Sequence, residues 1–173
     1  MTDQPVLQGS LVRLRPATRG DIPALVEIRR TPEVYRRWRG GDDLVAAVEE
    51  DFAEPDITRY VIELDARLVG WIQWGEEDDP DYRHAYIDIY VDPAVHGRGV
   101  GTDAVRTLAR HLLHDRGHHR LVIDPAADNA AAIRSYSKVG FRPVGIMRQY
   151  ERGADDSWHD NLLMDLLADE LVE

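Results

Sequence analysis

A mixed α/β fold, with elements in the order β-αα-βββ-α-β-α-ββ, is predicted by three features of this sequence. Short runs rich in β-branched and aromatic residues alternate with segments of helical periodicity. Glycines and prolines fall at the boundaries between them. No linker, low-complexity tract or internal repeat interrupts the chain, so residues 1–173 read as a single domain.

The elements follow in order. Leu11 to Pro16 alternates apolar and polar residues and reads as a half-buried strand that stops at proline. Thr18 and Asp21 have the spacing of a capping box. Ile22, Leu25, Val26 and Ile28 then keep helical spacing, and this helix is expected to reach Trp38 with a break near Pro32. Asp42 and Asp43 lie in a turn before a short acidic helix, Leu44 to Glu54. Tyr60–Leu64 and Leu68–Trp74 form a hairpin across Asp65–Arg67, and Glu76–Arg83 is a polar loop. Tyr86–Val91 reads as a central strand, closed by Pro93. After a glycine-rich turn, Thr102 to Asp115 is a helix and Leu121–Asp124 a short buried strand. Asn129 to Val139 is a helix stopped by Gly140, and strands near Phe141–Arg148 and Asn161–Leu167 complete the chain.

Composition narrows the function. The chain is 43% hydrophobic and 31% charged, with 21 Lys+Arg against 32 Asp+Glu and a net charge of −11. Such acidity disfavours nucleic acid or an anionic membrane as partner and suits a cation. There is no cysteine, which removes disulfides, thiolate metal sites and a cysteine nucleophile. With no membrane-length apolar run and no signal peptide, the protein is expected to be cytoplasmic. His111, His114, His118 and His119 crowd the end of one helix without carboxylate or cysteine partners at clear spacing, so no metal is predicted. No Gly-x-Ser-x-Gly motif suggests a hydrolase.

The most specific element is the strand–turn–helix from Asp88 to Thr102. His96-Gly-Arg-Gly-Val-Gly101 places three glycines at alternate positions ahead of a helix. Backbone N–H groups there either bind phosphate or simply make a turn. The loop lacks the lysine of a nucleoside-triphosphatase, and no acidic ribose-binding residue follows on a next strand.

Val91-Asp-Pro-Ala-Val-His-Gly-Arg-Gly-Val-Gly-Thr102 resembles the acetyl-CoA pyrophosphate loop of the GNAT superfamily of N-acetyltransferases. Asp128-Asn-Ala-Ala-Ala-Ile-Arg-Ser-Tyr-Ser-Lys-Val-Gly-Phe141 resembles its second signature, and Leu14 to Asp21 its usual opening. The resemblance implies the GNAT fold, a mostly antiparallel central sheet flanked by helices, with acetyl-CoA as co-substrate. It implies contacts to the cofactor from Ile89, Tyr90, Val91, His96, Gly97, Arg98, Gly99, Val100, Gly101, Thr102, Asn129, Ala132, Tyr136 and Lys138. His96 stands where Gln or Arg is usual, which shifts affinity and keeps the class.

Within the superfamily the likeness is greatest to aminoglycoside 6′-N-acetyltransferases. It is carried by Gly70–Pro80, Tyr86–Asp88, Ile123–Pro125 and Ala132–Phe141. It implies that Asp88 and Asp124 line the acceptor pocket and that Tyr136 lies beside the thioester. The loop between Asp79 and Asp88 is longer than usual for such enzymes, and Glu151–Asp160 is more similar to ribosomal-protein N-terminal acetyltransferases.

These positions suit the chemistry. Asp88, in an otherwise apolar strand, can bind the acceptor ammonium and take its proton. Tyr136 can protonate the leaving thiolate. Asp124 is either a second pocket acid or a strand-end cap, and Asn129 either bonds the CoA arm or caps its helix. Glu76, Glu77, Asp78, Asp79 and Asp81, with Asp42 and Asp43, either ring a polycation or are a solvated surface. Trp71 and Trp74 are either flat walls for a sugar ring or core.

The expected activity is direct acetyl transfer from acetyl-CoA to a primary amine, foremost the 6′-amine of an aminoglycoside. A protein N-terminus, a polyamine or another small amine is the alternative acceptor, and a non-catalytic acyl-CoA-binding module the alternative class. The expected oligomeric state is monomer or homodimer, the apolar Leu162–Leu167 run serving equally as interface or core strand.

Overall fold

The computed structural model describes residues 4–173, which contribute every strand to one eight-stranded sheet. The strands are β1 (Leu7–Gln8), β2 (Arg13–Pro16), β3 (Thr58–Leu64), β4 (Arg67–Glu77), β5 (His84–Val91), β6 (Arg120–Ile123), β7 (Arg142–Arg152) and β8 (Trp158–Leu167). Their spatial order is β1-β2-β3-β4-β5-β6-β8-β7, and only the β5–β6 pair is parallel. The helices α1 (Ile22–Arg30), α2 (Pro32–Arg37) and α3 (Leu44–Ala53) cover one face, and α4 (Val100–Arg110) and α5 (Ala130–Val139) the other.

Two cores result, one on each face, and strand alternation assigns residues to them. Val61, Trp71 and Tyr90 pack with Leu25, Ile28 and Val48 beneath α1–α3. Ile62, Ile72 and Ile87 pack with Ala104, Leu108 and Val139 beneath α4 and α5. Among the described residues no helix is long and apolar enough to cross a membrane.

The capping box forms as expected, with Thr18 N–H donating to Asp21 Oδ2 at 2.8 Å, but it opens a 3₁₀ turn at Arg19–Asp21 that leads into α1. The expected long helix breaks at Thr31, whose ψ of 139° is extended. The following Pro32 forbids Thr31 the helical region and then starts α2 at its first position. Two expectations fall short elsewhere. The short β1 was not read, and the last two strands are longer than predicted, so that the segment 151–160 belongs mostly to a β7–β8 hairpin.

Asp103, in the first turn of α4, ties the N-terminal hairpin to the helix that follows the glycine loop. Its buried carboxylate accepts the backbone N–H groups of Ser10 (3.2 Å), Leu11 (2.7 Å) and Val12 (2.9 Å). Asp103→Ala leaves these donors without an acceptor and is expected to cost about 2–3 kcal/mol, read as a lower denaturation midpoint. A loss below about 0.5 kcal/mol would show that water replaces the carboxylate.

Candidate active site

The site is created by a parting of strands. β5 and β6 pair only at Ala85↔Leu121 and Tyr86↔Val122. Beyond these, β4 holds β5 as far as Val91, while β8 holds β6 on its other side. The two parallel strands therefore separate from Ile87 and Ile123 onward. Pro125, which has no N–H, ends any further ladder on the β6 side. A cavity of about 860 Å³ fills this wedge.

Asp88 and Asp124 each lie two residues beyond the last pair, Tyr86↔Val122, so alternation sends both side chains to the same face. Both line the cavity, together with Asn129 and Tyr136 of the α5 segment. Burial pushes the Asp88 carboxyl above the usual range, opposed by the Gln73 amide and reinforced by Glu151 and Glu54. Asp124 is raised to about 6, first by burial and then by the charge of Asp88. The Tyr136 phenol is pushed up by burial and by both carboxylates, so it keeps its proton. Its ring packs edge-on against Phe141 at 6.4 Å.

The β7–β8 hairpin supplies residues that sequence reasoning missed. Glu151 adds a third carboxylate, and Asn161 fixes it: the Asn161 amide donates to Glu151 Oε2 at 3.1 Å and to the Asp124 carbonyl at 2.9 Å. Tyr150 stands beside Asp124, whose charge is the first cause of its raised phenol. Two of the three arginines of the lining pair with acids outside it, Arg37 with Asp128 at 2.6 Å and Arg152 with Asp156 at 3.3 Å, while Arg39 stays beside the cavity. The available signal was an asparagine, Asn161, opening the apolar run Leu162–Met164.

The opposite wall is held by a buried cation. Arg29, 1% exposed, pairs with Asp51 at 2.6 Å and donates to the Arg39 carbonyl at 2.9 Å. It thereby anchors the strap carrying Trp38 and Arg39, both of which line the cavity.

The glycine loop has the conformation that requires glycine. Gly97 and Gly99 adopt φ of +76° and +80°, and Gly99 caps the N-terminus of α4, where Val100, Gly101 and Thr102 make the first turn. Exposed Arg98 lies between them. The His96 ring N–H donates to the Val91 carbonyl at 2.9 Å, closing the loop against the end of β5. Thr102 and Ser135 hydroxyls meet at 2.6 Å and join α4 to α5. This exposed run of amides at a helix N-terminus fits a pyrophosphate. Ile89 and Val91 pack on the α4 side, Ala132 is half-buried on α5, and Lys138 is exposed. Asn129 caps α5, accepting the Ala132 N–H at 3.3 Å, and also lines the cavity.

Several expectations are corrected. Trp71 is fully buried, 5.3 Å edge-on from Phe52 and stacked on Tyr90 at 6.5 Å, so it offers no wall to a sugar. The Tyr90 side chain lies in that same core, which leaves its backbone as the part of this residue open to a cofactor. Trp74 packs against buried His118 at 5.8 Å. Glu76 pairs with His118 at 2.7 Å, while Glu77, Asp78, Asp79 and Asp81 are exposed, and none of these five acids lines the cavity. The reason is common to all: β4 is a central strand with both faces covered, and its acidic end runs away from the wedge. Asp43 caps α3, accepting the Ala46 N–H at 3.0 Å. Besides Tyr136, the aromatic surfaces of the cavity are Trp38, Tyr86, Tyr150 and Trp158, the last 60% exposed. Among the described residues no three His, Asp or Glu side chains gather as a metal site.

A split β5–β6 pair, a glycine loop capping α4 and a tyrosine facing the wedge define an acyl-transfer fold. Residues 23–141 match the acetyltransferase (GNAT) family, and the chain belongs to it: it is an acetyl-CoA-dependent N-acetyltransferase. It is 40% identical over 157 residues to the N-alpha-acetyltransferase RimI of Mycobacterium tuberculosis, covering 88% of this chain and 89% of that one. It is 29% identical over 153 residues to the aminoglycoside N(6′)-acetyltransferase type 1 of Klebsiella pneumoniae, covering 78% and 75% respectively. The solved structure of AAC(6′)-Ib with paromomycin and acetyl-CoA superposes with a TM-score of 0.76 at 25% identity, over 91% of this chain and 94% of that one.

Proposed function

We propose that this chain is a single-domain cytoplasmic enzyme that acetylates a primary amine of a polycationic small molecule, foremost the 6′-amine of an aminoglycoside. The observation that carries this reading is the convergence of three carboxylates, Asp88, Asp124 and Glu151, on one cavity, two of whose three lining arginines, Arg37 and Arg152, are paired with acids outside it. Such a field selects a ligand with several ammonium groups, and the exposed rings of Tyr150 and Trp158 give its sugar rings a surface.

In the reaction, Asp88 binds the acceptor ammonium and takes one proton; burial raises the proton affinity of its carboxyl, which makes it a better base than an exposed aspartate. The freed amine attacks the thioester carbonyl carbon, a C–N bond forms and the C–S bond breaks. Tyr136, held protonated, donates to the departing sulfur, and the second proton, shed by the attacking nitrogen as the amide forms, restores the phenol. The glycine loop from His96 to Thr102 holds the pyrophosphate through backbone amides, and Asn129 and Lys138 flank the arm of the donor. With no cysteine in the chain, transfer is direct.

The test is CoA release from acetyl-CoA with kanamycin, tobramycin, spermidine and ribosomal N-terminal peptides in parallel. Turnover of the aminoglycosides supports the reading. A peptide acceptor is the second reading, favoured by the 40% identity to an N-alpha-acetyltransferase, and turnover of peptides alone replaces the first. Glu151→Gln is expected to raise KM for an aminoglycoside about 5–30-fold, the worth of one partly desolvated charge pair, with kcat nearly unchanged. A simple monoamine acceptor should show no such change; equal loss for both acceptors would remove Glu151 from substrate binding.

A further inference from the structure

Trp71, Gln73 and Asp88 form one hydrogen-bonded chain that runs from the core beneath α1–α3 into the cavity. Gln73 and Asp88 are direct partners in the β4–β5 ladder, and Trp71 precedes Gln73 by two residues, so all three side chains leave the sheet on one face. The buried indole N–H of Trp71 donates to Gln73 Oε1 at 3.0 Å. An indole nitrogen donates and never accepts, so this contact decides which end of the amide is oxygen. The Gln73 NH₂ group is thereby turned to Asp88, with Nε2 3.5 Å from Oδ2. Trp71 is 0% and Gln73 8% exposed, which shields the pair from competing water.

We propose that Gln73 is a positioning residue for acetyl transfer: the Trp71 indole latches its amide so that it always presents a donor, and never its oxygen, to the Asp88 carboxylate. This rests on the reading of Asp88 as the base. With Oδ2 engaged, Oδ1 is the oxygen left for the acceptor ammonium. The groups that face Asp88 from the surrounding elements are Glu54 beyond α3, Asp124 beyond β6, Tyr136 on α5, Tyr150 and Glu151 on β7, and Tyr86 on its own strand. Burial, Glu151 and Glu54 disfavour the charged form, and the Gln73 donor opposes them. A flipped amide would set oxygen against carboxylate and reverse that contribution.

The experiment follows the Asp88 carboxyl directly, by carbon NMR titration, in the full-length protein and its Gln73→Met and Trp71→Phe variants, alongside kcat/KM against pH. Methionine keeps the volume of Gln73 and removes the donor. Gln73→Met is expected to move the Asp88 midpoint upward by about one pH unit, the weight of one hydrogen bond to a charged group. The rising limb of the rate profile should move with it, so that transfer at pH 7 falls up to about tenfold and recovers at higher pH. Trp71→Phe leaves Gln73 in place but frees its amide, and is expected to give a smaller movement of the same sign. The double variant leaves no orphaned indole donor and reports the same quantity if Gln73→Met folds poorly. An Asp88 midpoint unmoved in a folded variant overturns the latch. A midpoint that moves while the rate profile stays fixed upholds the latch and overturns Asp88 as the base.

Discussion

Asp88→Asn is expected to lower kcat/KM for amine acetylation by about 10²–10⁴-fold, the usual worth of a general base, while making the protein more stable. The two effects have one cause. Burial raises the proton affinity of Asp88 in the folded protein above that of the same carboxyl in the unfolded chain. Its folded pKa is raised, so its contribution to stability is best below the ordinary carboxylate range and worsens as pH climbs towards the folded value. At pH 7 the neutral amide removes that cost, so the variant is expected to unfold at a higher temperature than the wild type. Asparagine also leaves the Gln73 donor an acceptor, so the geometry of the wedge is kept. The variant's residual rate should lose the rising limb of the wild-type pH profile, which reports ionisation of Asp88. A variant that loses activity and stability together would assign Asp88 to the framework instead. Thermal unfolding and the pH profile measured on one preparation decide between these outcomes.

Local rules reached the fold well because the local and tertiary preferences agree. The capping residue Thr18, the stop at Gly140 and the apolar spacing of α1 and α4 each describe what a short stretch does alone. The site was legible where a motif spans a junction: Asp88 at the parting of β5, Tyr136 on α5 and the glycines ahead of α4. It was illegible where long-range pairing decides. Trp71 and Glu151 show both sides of this. Nothing within Gly70–Trp74 says that β4 sits between β3 and β5 with helices on each face, which turns Trp71 inward. Nothing near Glu151 says that β8 inserts between β6 and β7, which carries the hairpin back to the wedge and sets Glu151 beside Asn161. The acids of residues 76–81 had the composition of a cation site but not its location. Charge counted along the chain does not show where a side chain lies, and the cavity is lined by Asp88, Asp124 and Glu151 instead.

Tyr136→Phe is expected to lower kcat by about 10²–10³-fold with KM for the amine little changed, since phenylalanine keeps the packing against Phe141 and removes only the hydroxyl. A phenol pushed up by burial and by two carboxylates is a reluctant acid, which at first argues against a role as proton donor. The resolution lies in the order of events. When Asp88 takes the acceptor's proton it becomes neutral, and one of the two charges that raise Tyr136 disappears. On the proposed mechanism, the phenol therefore gains acidity at the stage when the thiolate leaves, and the proton gained at one residue eases donation from the other. The coupling predicts a specific asymmetry. An acetyl thioester of a more acidic thiol needs less help in leaving, so it should restore most of the rate lost in Tyr136→Phe. It should restore little in Asp88→Asn, where the amine still carries its proton. Equal restoration in both variants would separate Tyr136 from the leaving group and return it to a packing role.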